Sequence, residues 1–348
     1  MSDPKVTGLT YRDAGVDIDA QDEGLRRIKA MLLSTRTKGV LADLGSFGGM
    51  FAPDLTGLKT PVLVASCDGV GTKLKVAFMT GIHNTVGRDL VNHCVNDILV
   101  QGAAPLFFLD YVATGRLSPA MLAAIVDGIA TGCRENGCAL LGGETAEMPG
   151  FYADGEYDVA GFVVGLVDKS KIIDGRSIRA GDVLYGLASA GLHTNGYSLA
   201  RKIVFESAGK KPEDVIAGLD TSLGVALLAE HRSYLRALRG AIDAGLVRGL
   251  AHVTGGGLTD NMPRILPEGV AARIERGSWP VLPIFTVMQQ LGKIADDEMY
   301  RVFNMGVGMV CVIEPAHIAA FETHLTEQGE NYFVIGTIVP GERNVLYV

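Results

Sequence analysis

The chain has 348 residues, long enough for two domains, and its 48% apolar and 20% charged side chains have the balance of a well-cored globular protein. A net charge of −8 without a long basic run argues against a nucleic-acid footprint. No window of about 18 consecutive apolar residues appears, so no membrane span is expected, and five cysteines with no C-x-x-C pair and no secretory leader point to a reducing cytoplasm.

In chain order, a polar start leads to the carboxylate-rich residues 11–19. Residues 22–34 read as a helix with Leu25, Ile28 and Leu32 on one side. Lys29, between Arg26–Arg27 and the helix end, is either part of a solvated basic face or a candidate nucleotide contact. Residues 43–51 carry Gly45, Gly48 and Gly49 and read as a flap over a ligand or as a plain flexible loop. The apolar run 62–65 predicts a buried strand that empties into Asp68-Gly69-Val70-Gly71-Thr72-Lys73. An acid can hold a divalent metal, glycines let N–H groups close on a phosphate, and a lysine adds charge. The alternative is an ordinary strand-to-helix turn.

Residues 84–101 predict a helix whose Val86, Leu90, Cys94 and Ile98 face the core. Asp89, His93, Asn96 and Asp97 share another face. A carboxylate there is either solvated or neutralised by a cation, which makes Asp97 a metal candidate, whereas His93 reads as a structural histidine. A strand at 106–112 precedes a helix started by Ser118-Pro119 and ended by Gly137. A short strand, 139–141, then runs into Gly142-Gly143-Glu144-Thr145-Ala146-Glu147-Met148-Pro149-Gly150, a second strand end with an acid beside open backbone. A further strand covers 158–167, and the aperiodic charged stretch 169–182 marks a domain boundary.

Beyond it, a strand at 183–187 feeds Gly191-Leu192-His193-Thr194-Asn195-Gly196-Tyr197-Ser198 and a helix, a candidate anion site unless Thr194 or Asn195 merely caps that helix. A surface loop at 206–216, a long helix over 222–244 and the glycine loop Thr254-Gly255-Gly256-Gly257 opening another helix follow. Trp279 reads as packing. A strand at 310–313, a helix near 315–328 and strands at 332–338 and 345–348 complete the chain. The expectation is two α+β domains, 1–170 and 171–348, with a metal–nucleotide site in the first facing a phosphorylated substrate held by the second.

These motifs, taken with Asp13-Ala14-Gly15-Val16-Asp17-Ile18 and Phe303-Asn304-Met305-Gly306-Val307-Gly308, occur in an order that closely resembles the phosphoribosylformylglycinamidine cyclo-ligase family over nearly the whole chain. The resemblance implies ATP-dependent closure of formylglycinamidine ribonucleotide to aminoimidazole ribonucleotide, the fifth step of de novo purine synthesis. ATP would phosphorylate the formamide oxygen, and the amidine nitrogen would close the ring and expel phosphate. It implies Mg²⁺, with potassium as a helper, and a cytoplasmic homodimer whose N-terminal strands pair across the interface, the C-terminal domain carrying a mixed sheet flanked by helices. By resemblance, Asp68, Gly69, Gly71, Thr72 and Lys73, with Lys29 and the 45–49 glycines, bind ATP. The same resemblance puts Asp68 at the Mg²⁺ site, with Asp97 and Glu144 as further candidate metal ligands. Gly191, His193, Asn195, Ser198 and Thr254 to Gly257 would hold the substrate, and His193 is the candidate general base beside Lys73 and Asp68, the alternative being that His193 only hydrogen-bonds the substrate.

Overall fold

A computed structural model describes residues 8–41 and 47–348; Gly45 lies outside them. In chain order the elements are α1 (Ile18–Ser34), β1 (Pro61–Gly69), α2 (Leu74–Thr80), α3 (Asn84–Leu99), β2 (Ala104–Thr114), α4 (Pro119–Glu135), β3 (Ala139–Glu147) and β4 (Tyr157–Asp168). The second half holds β5 (Val183–Ala188), α5 (Tyr197–Arg201), α6 (Leu223–Leu227), α7 (Leu235–Asp243), β6 (Val247–His252), α8 (Gly257–Asn261) and β7 (Val270–Ile274). It closes with α9 (Pro283–Gly292), α10 (Asp296–Val302), β8 (Val307–Ile313), α11 (Ile318–Glu327), β9 (Tyr332–Pro340) and β10 (Val345–Tyr347).

The result is an α+β fold with one sheet per half. The first has strand order β1-β4-β2-β3, antiparallel except for the β2–β3 pair. The second has order β10-β7-β9-β5-β8-β6, with only β10–β7 parallel. Helices α3 and α4 cover one face of the first sheet. Val86, Leu90, Cys94 and Ile98 are all buried there, as their spacing predicts, and each such aliphatic side chain stabilises by roughly 1.5–3 kcal/mol. Asp17 caps α1 by accepting from the Ala20 N–H, so the helix begins before residue 22. Ser118 caps α4 in the same way, with Pro119 in its first turn.

Three expectations change. Asp68 lies within β1, opposite Gly161 of β4, and is not in a loop after it. Glycines 142 and 143 and Glu144 likewise belong to β3, because parallel pairing with β2 continues through Thr114–Glu147. The long helix over 222–244 is two helices with an irregular segment between them. There the polar face of α3 supplies partners that an α-helix would otherwise supply internally. Asp89 accepts from the His231 N–H at 2.6 Å, Asn92 donates to the His231 carbonyl at 2.7 Å, and Asn96 bonds both the Arg232 carbonyl and the Tyr234 N–H. These bonds tie the two halves together.

Candidate active site

The carboxylates of α3 and β1 meet a cluster of histidines. His93 Nε2 lies 2.8 Å from Asp68 Oδ2, and His252 Nδ1 lies 2.8 Å from Asp97 Oδ1. Between them runs an unbroken chain. His93 Nδ1 contacts Thr194 Oγ1 at 2.6 Å, Thr194 Oγ1 contacts His231 Nδ1 at 3.3 Å, and His231 Nε2 faces His252 Nε2 at 3.0 Å. Asp68 and Asp97 are the two ends that reach solvent, with 40% and 29% of their side chains exposed. Burial raises both carboxyls, but the bonds and charges of His93 and the Gly69 N–H on Asp68, and of His252 on Asp97, outweigh it and hold both below the ordinary carboxylate range.

This cluster is not a closed three-histidine metal site. His193, His231 and His252 place ring nitrogens within 4.8 Å of one another. The rings of His193 and His231, however, stack at 4.1 Å and 19°, so their in-plane lone pairs cannot converge on one ion. In the other candidate trio, His93, Asp97 and His252, every ring nitrogen already has a hydrogen-bond partner, which leaves the carboxylate as the group open to a cation.

The structure separates the three expected metal ligands. In the first sheet Asp68, Gly161, Asp110 and Gly143 form one row from edge to edge. Glu144 stands one residue on, opposite Tyr111, and so points to the other face. It also lies three strand spacings, about 14 Å, from the Asp68 edge. Oxygens on one Mg²⁺ sit about 2.1 Å from the ion, so within a single chain Asp68 and Glu144 do not share one.

Glu144 belongs instead to a cavity of about 800 Å³ between α1 and the β3 edge. Lys29, Gly48 and Gly49 line it too, which unites those three expected ATP residues away from Asp68. Leu25, Ile28 and Leu140 make its walls largely apolar.

Lys73 departs furthest from expectation. Its side chain is fully buried, and Nζ lies 2.6 Å from Asp89 Oδ2 and donates to the Ala229 carbonyl at 2.8 Å. Burial lowers its pKa and raises that of Asp89, each opposed by the partner's charge. Lys73 thus neutralises a neighbour inside the protein, joining the start of α2 to α3 and to the segment after α6. Thr72 does face the second half: its Oγ1 lies 3.1 Å from Ser198 Oγ. Gly69 and Gly71 flank this junction, Gly71 with φ of +63°.

The expected substrate loops do come together. The site of a Cβ on Gly255 lies 3.3 Å from Asn195 Oδ1. Asn261 donates to the carbonyls of Gly255 and Gly257 and accepts from Thr254 Oγ1, holding that loop closed around Gly256. Gly191 is fixed through its carbonyl by Ser189 and Asn304. His193, the candidate base, is buried behind the loop and not at its surface. Burial, then the charges of its cationic neighbours, push its imidazole well below the ordinary value, so it is neutral. Gly308 makes room for it: a Cβ there would meet His193 Cε1 at 2.4 Å and the Tyr234 hydroxyl at 2.1 Å. That gives the glycine of the late Asn304–Gly308 motif a steric reason.

The family described as AIR synthase related protein matches this chain twice, its N-terminal domain at residues 57–167 and its C-terminal domain at 179–348. A phosphoribosylformylglycinamidine cyclo-ligase of Geobacter metallireducens is 52% identical over 335 residues, 96% of each chain. One from Brevibacillus brevis is 50% identical over 337 residues, 97% of each. The chain belongs to the phosphoribosylformylglycinamidine cyclo-ligase family. Solved structures show the same fold at low identity. A thiamine-monophosphate kinase of Stenotrophomonas maltophilia has a TM-score of 0.66 at 17% identity, over 93% of this chain and 95% of that one. The hydrogenase maturation protein HypE in complex with ATP has a TM-score of 0.67 at 18% identity, over 92% and 90%.

In this cyclo-ligase family member three residues prove central: His231, which drew no notice in the sequence, Thr194, read there only as a possible helix cap, and Asp89, placed there only on the polar face of its helix. His231 and Thr194 link the two carboxylates, and Asp89 holds Lys73. The available signal was α3 itself. A helix buried on nearly all sides that still carries Asp89, Asn92, His93 and Asn96 needs polar partners from outside its own domain. No described helix is long and apolar enough to cross a membrane.

Proposed function

We propose that this protein closes the imidazole ring of aminoimidazole ribonucleotide from formylglycinamidine ribonucleotide, using ATP and releasing ADP and phosphate. The observation that carries this reading is the 50–52% identity, along 96–97% of the chain, to relatives bearing the cyclo-ligase name. The first half, residues 1–170, takes ATP: the base enters the cavity under α1, flanked by Lys29, Gly48 and Gly49. A solved ATP complex of HypE, a protein with this fold, supports ATP as the nucleotide. Asp68 and Asp97 offer hard oxygen donors that suit Mg²⁺, which when bound supplies positive charge to the transferring phosphoryl group. The second half, residues 171–348, holds the substrate ribonucleotide on Asn195, Ser198 and the 254–257 loop. Holding amidine and activated formyl carbon in one bound molecule makes ring closure intramolecular, a gain from orientation alone. A homodimer is supported by the outer face of the first sheet, where Leu63 and Phe162 are 65% and 44% exposed.

The direct test is ADP release that requires formylglycinamidine ribonucleotide and yields the aminoimidazole. ADP release with thiamine phosphate instead overturns the reading. Two variants refine it. Thr254→Val loses a loop hydrogen bond and is expected to raise KM for the ribonucleotide about tenfold with KM for ATP unchanged; the reverse pattern exchanges the roles of the two halves. His193→Ala removes the ring that supports the 191–198 loop from behind. It is expected to raise KM for the ribonucleotide and leave the pH profile of kcat in place. A kcat loss that deletes one limb of that profile would restore His193 as the base.

A further inference from the structure

One polar group in the cavity under α1 is used by nothing described so far. Asp110 sits on β2 on the same face as buried Phe108 and Val112, turned toward the helices. Its carboxyl lies directly over Gly143 of β3: a Cβ on that glycine would stand 2.2 Å from Asp110 Oδ1. The same Cβ would stand 2.6 Å from the Asp110 backbone carbonyl, so glycine at 143 leaves room for both the strand and the acid. Among the described residues no side chain bonds this carboxyl. Lys29, Arg36 and Glu144 line the same cavity, and the rest of its wall is mostly leucine, isoleucine and aromatic side chains. Burial drives its pKa up to about 7, opposed only by its own backbone N–H. A carboxyl left without a partner in an apolar wall costs stability, and it is tolerated where a ligand completes it.

We propose that Asp110 reads the purine base of the nucleotide by accepting a hydrogen bond from the exocyclic amine of adenine. This rests on the reading of the cavity as the nucleotide pocket. A planar purine fits an apolar slot of this volume, and a single polar group on the wall then fixes which edge of the ring lies inward. The exocyclic amine is a donor, matching the acceptor oxygen of Asp110 in either protonation state. A base lacking that amine leaves the carboxyl unsatisfied, and discrimination arises from that loss.

The experiment compares ATP with purine riboside triphosphate, which lacks only the exocyclic amine, in the complete enzyme with formylglycinamidine ribonucleotide. Wild type is expected to favour ATP about tenfold or more in kcat/KM, the size of one buried hydrogen bond to an acidic group. Asp110→Asn keeps an acceptor oxygen and is expected to retain the preference. Asp110→Leu fills the same space without an acceptor and is expected to erase it, with ATP falling to the level of the analogue and the analogue unchanged. Leu25→Trp, which crowds the cavity, is expected to raise KM for both nucleotides, and it tests the pocket separately. If Leu25→Trp raises both KM values while Asp110→Leu keeps the preference for ATP, the role of Asp110 is wrong and the pocket stands. If Leu25→Trp, verified as folded by its thermal transition, changes neither KM, the cavity is not the nucleotide site and both inferences fall.

Discussion

Lys73→Ala is expected to destabilise the protein by about 3–5 kcal/mol, the cost of leaving a buried charge without its partner. Both members of the Lys73–Asp89 pair have no exposed side-chain surface, so solvent does not screen the loss. The same lysine also donates to the Ala229 carbonyl, which becomes an unsatisfied acceptor. Chemical denaturation reads the effect as a fall in midpoint at constant slope. The double variant Lys73→Met, Asp89→Leu removes both charges and is expected to recover part of the lost stability: no buried charge stays unpaired, although the Ala229 carbonyl and the His231 N–H lose their partners. This pair of measurements separates two roles. A lysine that serves a phosphate would, on removal, abolish turnover without moving the denaturation midpoint. An unmoved midpoint would return Lys73 to the nucleotide.

Asp68→Asn is expected to lower kcat by roughly 10²–10³, the typical loss when one preorganised electrostatic group is removed from a charged transition state. The amide keeps the shape of the carboxyl and can still accept from the Gly69 N–H, so the fold is expected to persist. Titrating Mg²⁺ against the variant is the decisive measurement. Activity that returns to near wild type at saturating Mg²⁺ would remove Asp68 from the phosphoryl-transfer site. Glu144→Gln provides the contrast. Glu144 lies on the opposite face of the sheet from Asp68, with Lys29 at the cavity, so its loss is expected to act on KM for ATP more than on the Mg²⁺ dependence.

Much of this was legible because it is local. The apolar spacing of α3 and the Ser118-Pro119 start of α4 depend on residues a few positions apart, and both held. Trp279 was read as packing, and it is buried with its indole N–H on the Met305 carbonyl. Less legible were the places where distant segments decide. The span from Leu228 to Tyr234 has a helical composition, yet α3 takes over its backbone partners and unwinds it, which puts His231 at the centre of the histidine chain. Glycines 142 and 143 read as a loop because glycine weakens strands. Here pairing with β2 holds them extended, and the missing side chain gives Asp110 its room.

The Asp68–Lys73 stretch draws the line between the two kinds of information. From the sequence alone came the chemistry: an acid, open backbone and a hydroxyl following an apolar run, in an ordered set of motifs sufficient to place the family. Only the tertiary structure divided the labour among those residues. Asp68 is held in the strand and turned to His93, Thr72 touches Ser198 across the two halves, and Lys73 is buried against Asp89. The reason is physical. Composition fixes which groups a segment offers, whereas burial and the partner across the interface fix which of them stay charged, exposed and free to meet a ligand.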